Sequence, residues 1–186
     1  MTPSDAPRIT VITATIPGRE DMLAECRASV AAQTLPAAKH LVYKDTQGRG
    51  IQHSMNVLWP QVRTEWLQWI ADDDILYPGH LEAVAAYTAS ADIIHSNCVV
   101  VGRDGFHPDT KDYEDGLWHT ATALMRTSLV REIGGWDERA FPEDHFFWLK
   151  AKRAGARFAK HREPTWEYRF HGRNLTFAPK QVGRFA

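Results

Sequence analysis

Three consecutive aspartates, Asp72, Asp73 and Asp74, directly follow the apolar run Trp66-Leu67-Gln68-Trp69-Ile70-Ala71. Adjacent carboxylates repel one another, so their clustering behind an apolar run is costly unless a cation or a set of donors compensates. All-oxygen donors suit Mg²⁺ or Mn²⁺, particularly where diphosphate oxygens complete the shell. The structural alternative is a solvated turn that caps the helix opening at Pro78. A second acidic pair, Glu143 and Asp144, stands at the start of a predicted helix, where the amide dipoles favour negative charge. Ahead of both acidic groups stand Arg19 and Arg49, whose guanidinium groups suit a diphosphate or simply a charged surface. Asp45 stands alone after a short apolar run, either as a turn residue or as a hydrogen-bonding partner for a base or ribose.

Strands and helices alternate around these residues. The β-branched run Ile9 to Ile16, stopped by Pro17-Gly18, predicts a buried first strand ending in a turn, with Thr13 and Thr15 near its end. A helix over Glu20 to Gln33 places Leu23, Cys26, Val30 and Ala31 roughly on one face, and Pro36 stops it. His40 to Lys44 predicts a second strand and Trp66 to Ile70 a third, with a helix over Gln52 to Leu58 between them, closed by Pro60. Pro78 opens a further helix bearing Leu81, Val84, Ala85 and Tyr87, and Asp92 to Val101 predicts a fourth strand. Such alternation implies an α/β fold, a parallel or mostly parallel sheet with helices on both faces. Sites in such sheets lie beyond the carboxyl ends of the strands, where Thr15 to Arg19, Asp45 and Asp72 to Asp74 fall.

The second half is less periodic. Residues 102–118 are rich in Asp, Gly and aromatics and exceed the usual connection, which suits a binding loop or short hairpin. A strand over Ala121 to Met125, a short helix over Thr127 to Glu132, a turn at Gly134-Gly135-Trp136 and a helix over Glu143 to Ala154 ended by Gly155 follow. Two closing strands are expected at Arg157 to Lys160 and Thr165 to Phe170. The run Lys150-Ala151-Lys152-Arg153 reads as the solvated face of a helix.

At 186 residues the chain suits one domain, and its net charge of -1 supplies no long-range field for nucleic acid or an anionic membrane. Extended nucleic-acid binding is therefore not expected. Cys26 and Cys98 lack metal-ligand spacing and read as two buried thiols, consistent with a cytoplasmic protein. The N-terminus shows no secretory pattern, and no stretch approaches the roughly 20 apolar residues of a membrane span.

Motifs spread over Arg8 to His171 resemble the inverting glycosyltransferases of family 2, which have a GT-A fold. They are Ile9 to Pro17, then Ser29-Val30-Ala31-Ala32-Gln33-Thr34, then Ala71-Asp72-Asp73-Asp74-Ile75-Leu76-Tyr77-Pro78. Later come Leu124-Met125-Arg126, Gly134-Gly135-Trp136-Asp137-Glu138 and Glu143-Asp144. The resemblance implies metal-dependent sugar transfer from a UDP-, GDP- or dTDP-sugar to an unidentified acceptor, with inversion. It implies a nucleotide-sugar-binding half at residues 1–101, using Thr13, Thr15, Pro17, Arg19, Asp45, Arg49, Asp72 and Asp73. Residues 102–186 would bind acceptor and supply the base, Asp144 with Glu143 beside it. Asp72, Asp73, Asp74 and His171 would hold Mn²⁺ or Mg²⁺, and Trp118 and Trp136 are candidate acceptor contacts. Two positions depart from the family pattern: Lys44 precedes the single Asp45, and Ala71 stands where an acidic residue is commonest. The first leaves the donor base open, the second which aspartate binds metal directly. A non-catalytic nucleotide- or sugar-binding module and a metal-dependent nucleotide hydrolase remain the alternatives.

Overall fold

Ile9–Thr15 forms a strand, β1, buried at every position, because a β-branched run with no polar face must lie inside a sheet covered on both sides. It belongs to a computed structural model that describes residues 6–102, 122–140, 143–171 and 174. The helix α1, Glu20–Ala31, carries the chain back, so that β2, Lys39–Lys44, pairs parallel to β1. A second crossover through α2, Ile51–Leu58, and a 3-10 turn at Trp59–Gln61 brings β3, Trp66–Trp69, parallel to the other side of β1.

The two-residue β4, Ile75–Leu76, follows the aspartates, then α3, His80–Ala85, and β5, Ile93–Val101. After the segment outside the described residues come β6, Ala123–Arg126, then α4, Thr127–Glu132, then α5, Glu143–Arg153, and finally β7, Phe158–Arg169. The described strands form one sheet in the order β2-β1-β3-β6-β5-β7-β4. Because β6 is antiparallel to both β3 and β5, those two run the same way, and β7 is parallel to β5. Hence β1, β2, β3, β5 and β7 share one direction, while β6 and β4 oppose it. The α/β, mostly parallel sheet expected from the sequence is observed, and its carboxyl edge gathers the residues after Thr15, Lys44, Trp69, Val101 and Arg169.

Helices cover both faces, as expected. On one face Cys26 and Val30 of α1 and Leu81 and Val84 of α3 pack on Val11, Trp66 and Leu124. On the other, Met55 of α2, Val130 of α4 and Phe147 of α5 pack on Ile12, Leu67 and Met125. Cys26 and Cys98 are both free, and burial pushes the Cys26 thiol up to about 12 and the Cys98 thiol up to about 11. Among the described residues no helix is long and apolar enough to cross a membrane.

Three details differ from expectation. Ile75–Leu76 is a strand pairing antiparallel with Glu167 and Trp166, too short to leave a periodic signal. The two closing strands are one, because register shifts opposite Ser96 to Cys98 absorb Arg162 and Glu163 and admit Pro164, which has no amide proton to donate. Lys150, expected in solvent, donates from Nζ to the Gly135 carbonyl at 2.7 Å.

Candidate functional site

The turn Ala71 to Asp74, closed by an Asp74 N–H bond to the Ala71 carbonyl at 3.3 Å, leaves the carboxyl end of β3 and turns its three carboxylates in two directions. Asp72 and Asp73 face the β1–α1 loop. Thr15 donates from Oγ1 to Asp72 Oδ2 at 2.6 Å, and Arg19 Nη1 donates to Asp72 Oδ1 at 2.8 Å and to Asp73 Oδ2 at 3.1 Å. Gly18, with φ +84°, gives the reversal that returns Arg19 toward the aspartates. His171 places Nε2 3.0 Å from the same Asp73 Oδ2. The sequence therefore brings Thr15, Arg19, Asp72, Asp73 and His171 to one point from three strand ends.

Asp74 points the other way, into the protein. Its Oδ1 accepts from the Arg169 backbone N–H at 3.0 Å, and its Oδ2 is buried with no hydrogen-bond partner among the described residues. Burial, and then the charge of Asp73, push its carboxyl well above the usual carboxylate range. Arg169 also donates from Nε to the Asp73 carbonyl and pairs through Nη1 with Glu25, so one side chain ties the aspartate loop to β7 and α1. Asn174, only 4% exposed, accepts from the His171 N–H at 2.9 Å and donates to the Arg169 carbonyl at 2.8 Å, folding the chain so that His171 meets Asp73.

The exit from the loop is also clamped. Ser29 Oγ accepts from the Leu76 N–H at 3.1 Å, while Gln33 donates to the Tyr77 carbonyl at 2.8 Å and accepts from the Leu81 N–H at 2.9 Å. The Ser-Val-x-x-Gln-Thr motif thus positions the aspartate loop through hydrogen bonds to its downstream backbone. Arg169, Asn174, Ser29 and Gln33 escaped identification as positioning residues from the sequence. For the first two no local pattern marks them, since their partners lie far along the chain.

The remaining candidates are placed as follows. Asp45 is buried at the end of β2, and its oxygens accept from the backbone N–H groups of Gln47 at 3.2 Å and Gly50 at 2.8 Å. Burial alone would raise its carboxyl, but amide bonds from residues 47–50 outweigh it and hold the pKa below the ordinary value. Thr13 is buried one residue pair down β1 from Thr15, with Oγ1 3.0 Å from His40 Nε2, so its hydroxyl is engaged with β2. Pro17 and Arg49 are exposed on the two loops that flank β1 and β2 at this edge. Trp136 is 6% exposed and stacks on Phe147 at 4.2 Å, which places its ring within the core. Trp118 and the expected loop from residue 103 onward lie outside the described residues.

Glu143 and Asp144 occupy the first turn of α5. The turn before them is docked onto α2: Gln52 donates to the Ala140 carbonyl at 2.8 Å, and Asn56 donates to the Trp136 carbonyl at 2.8 Å while accepting its N–H at 3.0 Å. Because α2 begins directly after the β2 loop, these bonds bring the chain leading into α5 to the carboxyl edge. The Asp144 carboxyl is pushed well above the usual range by burial and then by Glu143.

A metal is implied by the aspartate motif. Among the described residues no group of three or more His, Cys, Asp or Glu side chains is gathered as a complete shell. The donor chemistry nonetheless fits a partial one: Asp72 and Asp73 present carboxylate oxygens to a single bridging cationic nitrogen, Arg19 Nη1. A divalent ion held there by these two, with His171 adjacent, would need further oxygens from a ligand.

The fold is shared with solved structures. TarS of S. aureus, residues 1–349, in complex with UDP-GlcNAc aligns with TM-score 0.74 at 17% identity, covering 88% of this chain and 59% of that one. Mannosyltransferase PcManGT from Pyrobaculum calidifontis, in complex with GDP-Man and Mn²⁺, aligns with TM-score 0.70 at 16% identity, covering 92% of this chain and 59% of that one. The chain thus spans about three fifths of the length of these structures. No family model matches it, and no curated sequence does.

Proposed function

We propose that the protein transfers a sugar from a nucleoside diphosphate sugar to an acceptor, with a divalent metal and with inversion at the anomeric carbon. The observation that carries this is the convergence of Thr15, Arg19, Asp72, Asp73 and His171 at the carboxyl edge of the sheet. Two neighbours of the same fold were captured with UDP-GlcNAc and with GDP-Man and Mn²⁺, which supports a donor of this class. Asp72, Asp73 and His171 would hold Mn²⁺ or Mg²⁺, which when bound neutralises charge on the leaving diphosphate. Arg19 and Arg49 sit on the loops where phosphates would enter, and Pro17 borders the same opening. The exposed 46–50 loop borders the base pocket, with buried Asp45 holding that loop by its amides and Thr13 supporting the strand beneath.

Asp144 is the base. Inversion by single displacement needs a carboxylate opposite the leaving group to take the acceptor hydroxyl proton. A carboxyl raised by burial and by Glu143 is a stronger proton acceptor once ionised than a solvated one. Residues 1–101 supply most of the donor side and residues 102–186 the base and acceptor side, Trp118 among the latter, though His171 crosses that division to reach Asp73. Membership of family 2 would follow from the same reading.

The test is calorimetry with UDP, GDP and dTDP, each with and without Mn²⁺. Metal-enhanced binding of at least one is expected, followed by slow release of free sugar from the matching donor. Release of phosphate in place of sugar would indicate a hydrolase, and tight binding with no turnover a binding module.

A further inference from the structure

The two carboxylates that would meet a metal are already held by a cation of the protein's own. Arg19 Nη1 lies 2.8 Å from Asp72 Oδ1 and 3.1 Å from Asp73 Oδ2, and all three side chains are nearly out of solvent, at 11%, 4% and 10% exposure. Thr15 takes the other oxygen of Asp72, and His171 shares Asp73 Oδ2. Two adjacent buried carboxylates would otherwise carry uncompensated charge, and one guanidinium nitrogen bridging them removes that cost.

We propose that Arg19 is a placeholder cation that couples metal binding to diphosphate binding, a role that rests on the donor site proposed above. A divalent ion that took both Asp72 Oδ1 and Asp73 Oδ2 would enter the position between them where Nη1 now lies, and like charges repel there. Metal entry at these two oxygens therefore displaces Arg19 Nη1. On its own that exchange breaks the two charge-assisted bonds from Arg19 Nη1 to the aspartates. With a nucleoside diphosphate present, the freed guanidinium gains phosphate oxygens, which it can bind in bidentate fashion. Metal alone then binds weakly, metal and diphosphate bind together, and by linkage each strengthens the other equally. Gly18 beside Arg19, in a left-handed conformation at φ +84°, ends β1 in a turn and leaves Arg19 on the loop outside any strand.

The experiment measures Mn²⁺ binding by the loss of the free-ion paramagnetic resonance signal, for the wild type and for Arg19→Met and Arg19→Gln. Each is titrated alone and with UDP or GDP, with correction for Mn²⁺ bound to nucleotide in solution. Thermal melting identifies any variant that fails to fold, and the second variant then carries the comparison. Removing the placeholder is expected to tighten Mn²⁺ alone by about tenfold or more, within the usual span of coupling between sites, and to shrink the enhancement by nucleotide to a similar extent. The tightening persists in about 1 M salt, where a general change of field is screened beyond about 3 Å and direct displacement is not. Unchanged or weaker Mn²⁺ binding by a folded variant overturns the proposal while leaving the donor site standing, as does a gain abolished by salt. Absence of Mn²⁺ binding by every protein, with UDP and GDP alike, removes both the donor site and this role for Arg19.

Discussion

The two edges of the sheet each carry a linked network of acids and arginines, and they are balanced differently. At the amino edge, Asp92 and Glu65 face Arg126 and Arg157: Arg126 reaches Asp92 at 3.1 Å and Glu65 at 2.7 Å, and Arg157 reaches Asp92 at 3.0 Å. Two acids meet two arginines, and Arg126 also lies 4.4 Å over the Trp66 ring. The Arg157 guanidinium, and then its backbone and Arg126, hold the Asp92 carboxyl down at about 2. At the carboxyl edge, Asp72, Asp73, Asp74 and Glu25 are linked to Arg19, Arg169 and His171. There, among the described residues, the acids exceed the arginines, one oxygen of Asp74 has no hydrogen-bond partner, and its carboxyl is pushed up. The first network is balanced and serves stability; the second, on the function proposed above, would receive the positive charge of a metal. Arg126, part of a family-like signature in the sequence, belongs to the first kind.

The strongest way to break this contrast is at the acids of the carboxyl edge. Asp144→Asn is expected to lower transfer by about 10²-fold or more while donor binding is kept, and Glu143→Gln to cost less. Initial rates and calorimetry on the same preparations check it, and near-normal transfer by Asp144→Asn, or a product retaining the donor's anomeric configuration, overturns the assignment. The same carboxyl gives a pH signature. Its folded pKa is raised, so its base form is lost as pH falls through that raised value, and the acid limb of the rate profile should lie above the ordinary carboxylate range. For stability the sign is opposite to a salt-bridged acid: the folded state binds the proton more tightly, so stability declines as pH rises from the unfolded value through the raised one. Asp144→Asn should flatten that decline in thermal melts across the window.

A second expected effect lies at the same edge. Asp73→Asn should abolish most of the metal enhancement of nucleotide binding, by about 10-fold or more, since Asp73 offers the oxygen shared by Arg19 and His171. Calorimetry with and without Mn²⁺ reads it directly.

At the amino edge the expected change is smaller and confined to stability. Asp92 has a depressed folded pKa, so its contribution is present above about 3.8 and disappears as pH falls through about 2. With the carboxylate partly solvated, Asp92→Asn should cost about 1–2 kcal/mol near neutral pH, which lowers the melting temperature by about 2–8 °C. Donor binding should not change. An altered nucleotide affinity in this variant would show that the two edges are coupled. The smallest effect concerns the thiols: with Cys26 pushed up to about 12 and Cys98 up to about 11, neither should react appreciably with a thiol reagent at neutral pH until the protein unfolds.

How far the sequence disclosed these edges depended on the range of each interaction. Strand alternation placed Thr15 and Asp72 at the carboxyl ends of strands, and apolar periodicity picked out Cys26 and Val30 of α1 and Leu81 and Val84 of α3, whose packing on one shared face of the sheet is given by the fold. These follow from local pattern. The reversed direction of β6 was not legible, because an apolar strand of four residues looks the same either way along a sheet. Nor was the role of Arg169, whose partners Asp74 and Glu25 lie 95 and 144 residues away. Trp136 sits in the core for a similar reason: Phe147, on which it stacks, is eleven residues on in a helix that folds back over the turn. Asp45 was legible as a strand-end acid, but the four following amides that claim its oxygens appear only once the 46–50 loop closes.

Asn56 holds Trp136 by both backbone groups, accepting its N–H at 3.0 Å and donating to its carbonyl at 2.8 Å, much as a neighbouring strand would. The Trp136 amide lies outside every helix and strand, where amide protons usually exchange with solvent quickly. Bound to a half-buried side-chain oxygen, it should instead exchange slowly, and only when α2 and the turn before α5 separate. In deuterium-exchange spectra this one proton is a clock for that separation: its protection reports how often the segment carrying Asp144 leaves its seat on the helix that follows the Asp45 loop.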